Sequence, residues 1–206
     1  MNANDKTLHA RLRESTRVLH EDLERAVNID DQISSRPRYN AYLMRLWSLH
    51  RATEDALSSF DFTPFGFEHR TCLRSRLLEN DLRDLGVGLR ALHDLPHRTP
   101  PVLASIEAGL GCIYVVEGSA FGAKAILPQI QRRLGLTAEH GASFFVGFGE
   151  PSKYLWRAFL NALNEIDPAS LEATRVTEAA EEIFQFFHCW LPERPIEITP
   201  PAVART

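Results

Sequence analysis

The chain has 206 residues, of which 44% are hydrophobic and 24% charged, and its formal net charge is -4. This composition is ordinary for one folded domain that buries its own core. We expect no nucleic-acid partner, because phosphate binding needs a basic surface. The three cysteines, Cys72, Cys112 and Cys189, are far apart and form no CxxC pair. That pattern indicates reduced, mostly buried thiols in a cytoplasmic protein.

Two features of the chain predict a cytoplasmic location without a membrane segment. The first residues, Met1 to Lys6, are polar and lack the apolar core of a secretory signal. Every apolar stretch is interrupted by Gly, Glu or Lys before it reaches the roughly 18 residues that a membrane helix needs.

The spacing of apolar residues predicts long amphipathic helices, separated by segments rich in proline and glycine. Asn4 or Asp5 is suited to cap the first helix, and Pro37 to the first turn of the second. In chain order the helices are expected at 6–27, 35–60, 71–85, 102–134, 152–166 and 167–191, with a further turn at 89–93 and loops at 62–67 and 137–151. No pattern of paired strands appears. The fold class is therefore all-α, with one domain over 1–191 and a flexible tail over 192–206.

Four polar residues form one stripe on the first predicted helix: Arg13, Arg17, His20 and Glu24. Their spacings of four, three and four residues place them on one face, beside the leucine stripe. The carboxylate of Glu24 can accept the imidazole N–H of His20, which leaves the other ring nitrogen for a metal. The two arginines can meet anionic groups of the same ligand. A solvent-exposed helix face with ion pairs has the same pattern.

Four glycines fall inside the fourth predicted helix, at Gly109, Gly111, Gly118 and Gly122. Each costs about 1 kcal/mol relative to alanine in a helix interior. A fold accepts that cost where something approaches the backbone closely. Gly118 and Gly122 lie four residues apart on nearly one face, so either a flat ligand or a neighbouring helix can explain them.

A further basic pair follows near the start of the next helix. Lys153 and Arg157 are four residues apart and share a helix face. A guanidinium group is suited to bind a carboxylate with two hydrogen bonds. An ordinary solvent-exposed face remains the alternative.

Three segments resemble the haem oxygenase family. The run 12–20, Leu-Arg-Glu-Ser-Thr-Arg-Val-Leu-His, with Glu24 one turn later, looks like the family's proximal helix. The run 114–123, Tyr-Val-Val-Glu-Gly-Ser-Ala-Phe-Gly-Ala, resembles its distal helix, closest to the bacterial branch that supplies biliverdin to phytochromes. The run 152–157 resembles the second site for a haem propionate. The three occur in the family's order and extend over most of the chain.

The resemblance implies a single-domain helical bundle with haem between the proximal helix and a kinked, glycine-containing distal helix. His20 is then the axial iron ligand, Glu24 orients its ring, and Arg13, with Arg17 one turn further on, meets haem propionate. Gly118 and Gly122 let the distal helix lie close to the porphyrin. The remaining binding residues implied by the family are Lys153 and Arg157 for the second propionate and Phe184 at the haem edge.

The sequence departs from many family members directly after the first distal glycine. Those members place an aspartate there to hold ordered water, whereas this chain has Ser119. A serine can hydrogen-bond water but is shorter and uncharged. The phytochrome-linked branch shares this departure, so we expect activity to be retained.

The function implied by the resemblance is cleavage of haem to biliverdin, carbon monoxide and ferrous iron. Haem is then both substrate and prosthetic group, and O2 is the oxidant. Electrons must come from an external donor such as ferredoxin or a flavoprotein reductase, because the sequence has no nucleotide or flavin motif. A biliverdin-accepting phytochrome is a further partner that the branch resemblance suggests.

Two alternatives remain open from the sequence. One is a haem-storing or haem-sensing protein of the same fold, towards which Ser119 points. The other is a helical relative with a different ligand, such as a thiamine-degrading enzyme or a di-iron protein. A di-iron site would need repeated Glu-x-x-His motifs. His9, His20 and His50 are instead preceded at that spacing by Lys6, Arg17 and Trp47.

Overall fold

The computed structural model describes residues 7–88, 90, 92, 95 and 99–192, without the side chains of residues 71, 72, 120 and 121. Its α-helices are α1 (Leu8–Val27), α2 (Ile29–Gln32), α3 (Arg36–Leu57), α4 (Arg74–Asp84), α5 (Ile106–Ala123), α6 (Leu127–Leu134), α7 (Glu150–Asn164) and α8 (Leu171–Trp190). Across the described ranges the only β-type pairing is a pair of isolated bridges from Thr137 to His140 and Gly141. The predicted all-α fold class is confirmed.

Side-chain caps set where the first long helices begin. The hydroxyl of Thr7 accepts a hydrogen bond from the backbone N–H of Ala10 at 3.2 Å, so α1 begins at Leu8. The prediction of Asn4 or Asp5 as its cap is wrong, since Thr7 holds that position, and those two residues lie outside the described part of the chain. In α3 the cap is Ser35 and Pro37 lies in the first turn, as predicted.

The predicted continuous helix over 102–134 is divided in two. Ser105 caps α5, which continues as α-helix through Gly118 and Gly122 to Ala123. A 3-10 turn over Lys124–Ile126 then leads into α6, whose first turn holds Pro128. Proline is tolerated at that position because its missing N–H would have no helical partner. Periodicity alone does not reveal the break, since the apolar pattern continues through it.

The other helix boundaries differ from the prediction by a few residues. A 3-10 turn over His69–Cys72 precedes α4, so that helix begins at Arg74. Helix α7 begins at Glu150, two residues early, and α8 begins at Leu171 behind a Ser170 cap. Residues 89, 91 and 93 of the predicted extra turn, and residues 193–206 of the predicted tail, lie outside the described residues.

Helix α8 forms the centre of the bundle. It packs along α5 on one side and along α1 on another, while α3 packs on α4. The close approach of α5 and α8 depends on Gly111, because a Cβ there would lie 2.4 Å from the carbonyl oxygen of Val176. As a result, α1 and α5 lie on two sides of a gap, and α8 forms its third side.

One region of the bundle is apolar enough to cross a membrane by length and composition alone. It spans Ile106–Leu134, and 44% of its most apolar 18-residue window is buried inside the fold. The expectation that every apolar stretch is too short is therefore wrong on length. A helix of a protein core passes the same test, and Ile113, Val115 and Val116 of α5 are buried in this core.

Two of the three cysteines have described side chains, and both are free thiols. Cys112 is buried in α5, whereas Cys189 is exposed on α8, contrary to the expectation of mostly buried thiols. Burial raises the pKa of the Cys112 thiol to about 12, so this group stays protonated. The side chain of Cys72 lies outside the described residues.

Candidate functional site

Two adjoining cavities lie in the gap between α1, α5 and α8. The larger has a volume of about 400 Å³, and we call it the apolar cavity. The smaller has a volume of about 330 Å³, and we call it the charged cavity. The two share the wall residues His20, Val115, Ser119 and Phe184. Three of these four were predicted as site residues, so the fold brings the proximal and distal segments together.

His20 lies where the two cavities meet. Its side chain is 46% exposed, and its Nδ1 is 3.7 Å from Oε1 of Glu24. That separation is too long for a direct hydrogen bond. Because the carboxylate lies beside Nδ1, the ring nitrogen left for a metal is Nε2. The two side chains are neighbours as expected, but the expected hydrogen bond between them is not formed at this distance.

The apolar cavity has a wall of aliphatic and aromatic side chains. They come from α1, α3 and α8 and from the 3-10 turn over Ser143–Phe145, and they include Leu23, Val27, Leu46, Phe144, Phe145, Phe184, Phe187 and Leu191. Phe184 is 4% exposed, and its ring meets that of His20 edge to face with centroids 5.8 Å apart. Such a wall suits the flat, apolar body of a ligand.

The glycines of α5 form a bare surface on the opposite side. Gly122 lines the apolar cavity and Gly118 lines the charged cavity. Among the described residues, a Cβ built on Gly122 has no neighbour within 4 Å, and one on Gly118 would meet only the far end of the Trp156 ring at 3.6 Å. Neither glycine is required for contact with another helix. The helix-packing explanation left open by the sequence applies instead to Gly111.

Ser119 turns its hydroxyl back towards its own helix. Its Oγ donates a hydrogen bond to the carbonyl oxygen of Val116 at 3.0 Å. The side chain still lines both cavities. With its proton used in this way, Ser119 presents lone pairs to the cavities and acts there as a hydrogen-bond acceptor.

The charged cavity carries the predicted arginines of α1. Arg13 and Arg17 both line it, together with His9 and Glu21. Arg17 is held by Glu21, with Nη1 3.1 Å from Oε1. Burial and the charge of Arg13 lower the pKa of His9, so the guanidinium groups carry the positive charge at this opening. The cavity is suited to anionic groups of a ligand.

The predicted basic pair on α7 lies outside both cavities. Lys153 and Arg157 are exposed, and Nζ of Lys153 contacts Oε1 of Glu150 at 2.5 Å. Trp156, which lies between them in sequence, lines the charged cavity. The structure therefore leaves the two basic residues out of both cavity walls, and their role stays a prediction.

His50 lines a cavity, although the sequence singled it out only as a histidine that fails the di-iron motif. It lines the apolar cavity with Tyr42 and Leu46, which precede it at four-residue intervals on α3. The side chain is 1% exposed, and its Nδ1 has no hydrogen-bond partner among the described residues. Burial and the charge of Arg74 lower the pKa of His50 to about 3, so it is neutral near pH 7. The four-residue spacing was a signal, but it did not show which face was buried.

A buried ion pair involves Glu117, which directly precedes Gly118 on α5. Glu117 is fully buried, and its Oε2 accepts a 2.7 Å hydrogen bond from Nη2 of Arg74 on α4. Nε2 of His69 is 3.7 Å from the other carboxylate oxygen. Burial alone would raise the pKa of Glu117, but His69 and Arg74 together lower it to about 2. The residue before Gly118 is therefore a carboxylate tied to α4.

The described residues contain no group of three or more His, Cys, Asp or Glu side chains arranged to hold a metal ion. A di-iron centre needs such a cluster. The di-iron alternative therefore gains no support from the described part of the chain. His20 remains the residue whose position suits a single metal carried by a ligand.

The chain is similar to known haem proteins in sequence pattern and in fold. The family model described as "Heme oxygenase" matches residues 6–193. A structure of NO- and CO-bound heme oxygenase from Neisseria meningitidis shares 23% identity with a TM-score of 0.77, covering 90% of each chain. Heme oxygenase 2 from Chlamydomonas reinhardtii, solved without heme, shares 17% identity with a TM-score of 0.76, covering 94% of this chain and 100% of that one. No curated protein sequence matches the chain.

Proposed function

The chain belongs to the haem oxygenase family, and we propose that it opens the ring of haem to give biliverdin, carbon monoxide and ferrous iron. One observation carries the proposal. His20 stands at the junction of an apolar and a charged cavity, opposite a helix surface that Gly118 and Gly122 leave bare. Those are the wall, the anchor and the metal ligand that an iron porphyrin requires.

The chemistry of the two cavities fits the chemistry of haem. Haem has a flat apolar ring, two carboxylates at one edge and an iron that accepts an imidazole nitrogen. The apolar cavity suits the ring, and Arg13 and Arg17 in the charged cavity suit the carboxylates. His20 would bind the iron through Nε2. When bound, haem supplies both the metal centre for O2 chemistry and the substrate carbon that is oxidised.

The chain's own residues then hold and shield this substrate. We propose that Glu24, whose Oε1 lies 3.7 Å from Nδ1, orients the His20 ring so that Nε2 faces the iron. Gly118 and Gly122 keep side chains away from one face, so that the backbone of α5 can approach it. Phe184 packs edge to face against the His20 ring and lines both cavities, which suits its predicted place at the haem edge. We propose that Lys153 and Arg157 reach a carboxylate once a ligand is present, which the four-residue spacing on one helix face allows.

The reaction requires components that the chain does not supply. We propose O2 as the oxidant and an external electron donor such as ferredoxin or a flavoprotein reductase. A phytochrome as acceptor of biliverdin and a cytoplasmic location remain predictions from the sequence. A haem-storing or haem-sensing protein is the second candidate function. It is favoured by Ser119, whose hydroxyl donates to Val116 instead of offering an acid to the cavity.

A hemin titration followed by aerobic turnover tests both functions. We expect a Soret shift on hemin addition, and then, with a reductase and NADPH, loss of that band with growth of bilin absorption. His20→Ala should abolish or greatly slow this conversion. His140→Ala is the matched control, because that histidine is exposed beside Asp84 and lines neither cavity. A stable Soret band with no bilin would favour the storage function. If hemin causes no Soret shift, haem is not a ligand of this protein.

A further inference from the structure

The 3-10 turn over Ser143–Phe145, which we call the aromatic turn, supplies two rings to the apolar cavity. Phe144 and Phe145 both line that cavity, and they are 5% and 1% exposed. The ring of Phe144 meets that of His50 edge to face, with centroids 5.2 Å apart. The aromatic turn lies in the connection between α6 and α7, so its position depends on contacts from elsewhere in the fold.

The residue in front of the aromatic turn does not cap it. The first N–H groups of a helical turn have no acceptor within the turn, and buried ones need a partner. A serine, threonine or aspartate at the cap position commonly supplies the acceptor. Ala142 holds that position here, and the side chain of alanine has no acceptor atom. The acceptor must therefore come from another part of the chain.

The carboxylate of Asp81 on α4 supplies both acceptors that the aromatic turn needs. Its Oδ1 accepts a hydrogen bond from the backbone N–H of Ser143 at 2.7 Å. Its Oδ2 accepts one from the backbone N–H of Phe144 at 2.8 Å. Asp81 is fully buried and lines neither haem cavity. Each oxygen of this carboxylate thus holds one of two successive N–H groups.

Two further hydrogen bonds hold the loop directly before the aromatic turn. Oδ2 of Asp84, almost one helical turn after Asp81, accepts a hydrogen bond from the backbone N–H of Gly141 at 3.1 Å. The hydroxyl of Tyr39 on α3 donates one to the carbonyl oxygen of Gly141 at 2.8 Å. The Tyr39 ring also stacks on that of Phe145, with centroids 6.2 Å apart. Helices α3 and α4 therefore fix the aromatic turn and its approach.

The burial of Asp81 is not explained by stability alone. Burial raises the pKa of the Asp81 carboxyl above its usual value, although the hydrogen bonds from Phe144 and Ser143 act against the rise. The charged carboxylate is therefore less favourable in this position than in water. An apolar residue would avoid that cost, but it would leave two buried N–H groups without acceptors. What the carboxylate contributes is the position of the aromatic turn.

We infer that Asp81 is a positioning residue, which holds the backbone of the aromatic turn so that Phe144 and Phe145 form a fixed wall for an apolar ligand. The step from this wall to haem rests on the proposed function. Asp81 acts without touching the ligand, because it lines neither haem cavity. Asparagine cannot replace it, since its side chain offers one acceptor oxygen for two N–H groups and turns an NH2 group towards the other.

Hydrogen exchange followed by NMR tests the hold on the aromatic turn in the ligand-free protein. In Asp81→Asn we expect at least one of the amides of Ser143 and Phe144 to exchange faster by about tenfold or more. The rates are compared with that of Ile183, which is buried in the centre of α8. Unchanged exchange at both amides would overturn the inference. An equal acceleration at Ile183 would also overturn it, because Asp81 would then contribute only to overall stability.

Asp55→Asn is the matched control for this substitution. Asp55 is an exposed residue of α3 that pairs with Arg51, with Oδ2 3.2 Å from Nε, and it lines neither haem cavity. The amides of the aromatic turn should exchange in this variant as they do in the wild type. Should Asp81→Asn not fold, Asp81→Ser is measured in its place. Serine is smaller, and its hydroxyl likewise cannot accept from both N–H groups in the geometry of a carboxylate.

Hemin titration tests whether Asp81 acts on the ligand through the aromatic turn. We expect Asp81→Asn to weaken hemin binding by about tenfold, because the two rings no longer form a fixed wall. In a Phe144→Leu background the same substitution should weaken binding by no more than about threefold, since part of the wall that Asp81 positions is already gone. A loss of equal size in both backgrounds, or no loss in either, would contradict the inference.

The proposed function and the role of Asp81 fail separately. If the wild type gives no Soret shift with hemin, the proposed function is wrong, while hydrogen exchange in the ligand-free protein still tests the hold of Asp81 on the aromatic turn. If hemin binds and turns over in the wild type, but Asp81→Asn matches it in amide exchange and hemin affinity, only the positioning role is wrong.

Discussion

Gly111 on α5 lies so close to Val176 on α8 that a Cβ atom on the glycine would stand 2.4 Å from the valine carbonyl oxygen. The same Cβ would lie 2.9 Å from the Cβ of Ala179. The carbonyl oxygen belongs to the backbone of α8, and the alanine Cβ is bonded directly to that backbone. Neither atom can move unless the helix shifts. The contact fixes the distance between α5 and α8, and with it the width of the gap that the cavities occupy.

Gly111→Ala should therefore destabilise the ligand-free protein. We expect a loss of about 3 kcal/mol in the free energy of unfolding, because an extra methyl group in a tight helix contact forces backbone shifts. Urea unfolding followed by circular dichroism measures it. An unchanged midpoint and slope would show that α5 and α8 can move apart without any loss in the free energy of unfolding.

Gly122→Ala should have the opposite effect on the ligand-free protein. Its Cβ would meet none of the described residues within 4 Å, and alanine is a better helix former by about 1 kcal/mol. Stability should stay the same or rise, while hemin affinity falls by about tenfold, or 1.4 kcal/mol, because the new methyl group enters the apolar cavity. Equal hemin affinity in variant and wild type would mean that the ligand does not approach this part of α5.

The buried pair of Arg74 and Glu117 should show strong coupling. Arg74→Met leaves the Glu117 carboxylate buried without its main partner, so we expect a loss of about 3–5 kcal/mol in the free energy of unfolding. The double variant with Glu117→Leu removes the stranded charge and should lose less. Arg76→Met, at an exposed position two residues away, is the control for the substitution itself. A double-mutant cycle on urea unfolding checks this, and additive losses would contradict it.

The stability of the protein should fall on mild acidification because of His50. Its pKa is lowered from 6.5 to about 3 in the folded state, mainly by burial. Between those values the unfolded chain binds a proton at His50 and the folded chain does not. The free energy of unfolding therefore decreases as the pH falls, by up to about 1.4 kcal/mol per pH unit.

Comparison of His50→Asn with the wild type isolates this contribution. The range from pH 6.5 down to about 5 is the useful one, because below it the lowered pKa of Glu117 adds a second loss of stability. We expect a shallower dependence on pH in the variant, measured by urea unfolding at several pH values. Parallel curves would show that His50 does not titrate differently in the two states.

Arg13 should contribute to hemin affinity through charge. It lines the charged cavity, whereas Arg25 on the same helix is exposed, lines neither haem cavity, and pairs with Asp22 at 3.0 Å. Arg13→Ala should weaken hemin binding by about fivefold at low salt, and the difference should shrink as salt screens the charge. Arg25→Ala should bind hemin as the wild type does. Equal titration curves for the two variants would remove Arg13 from the binding site.

Several parts of the site could be predicted because they depend on local spacing. His20 and Glu24 are one helical turn apart wherever the helix lies, and the fold keeps them 3.7 Å apart. Arg13 and Arg17 share that face for the same reason. The break between α5 and α6 was missed, since Pro128 is compatible with a helix start and the apolar pattern runs through the turn.

By itself the sequence determined the all-helical class, the polar stripe of α1 and the presence of glycines in α5, because periodicity and helix propensity act between near neighbours. Only the tertiary structure decided that Gly111 serves packing while Gly118 and Gly122 face the cavities. It also brought His50 to the apolar cavity and tied Glu117 to Arg74, 43 residues away along the chain. Those relationships depend on how helices distant in sequence approach one another. The face of α1 that carries His20 and Glu24 becomes a cavity wall only because α5 and α8 pack near it.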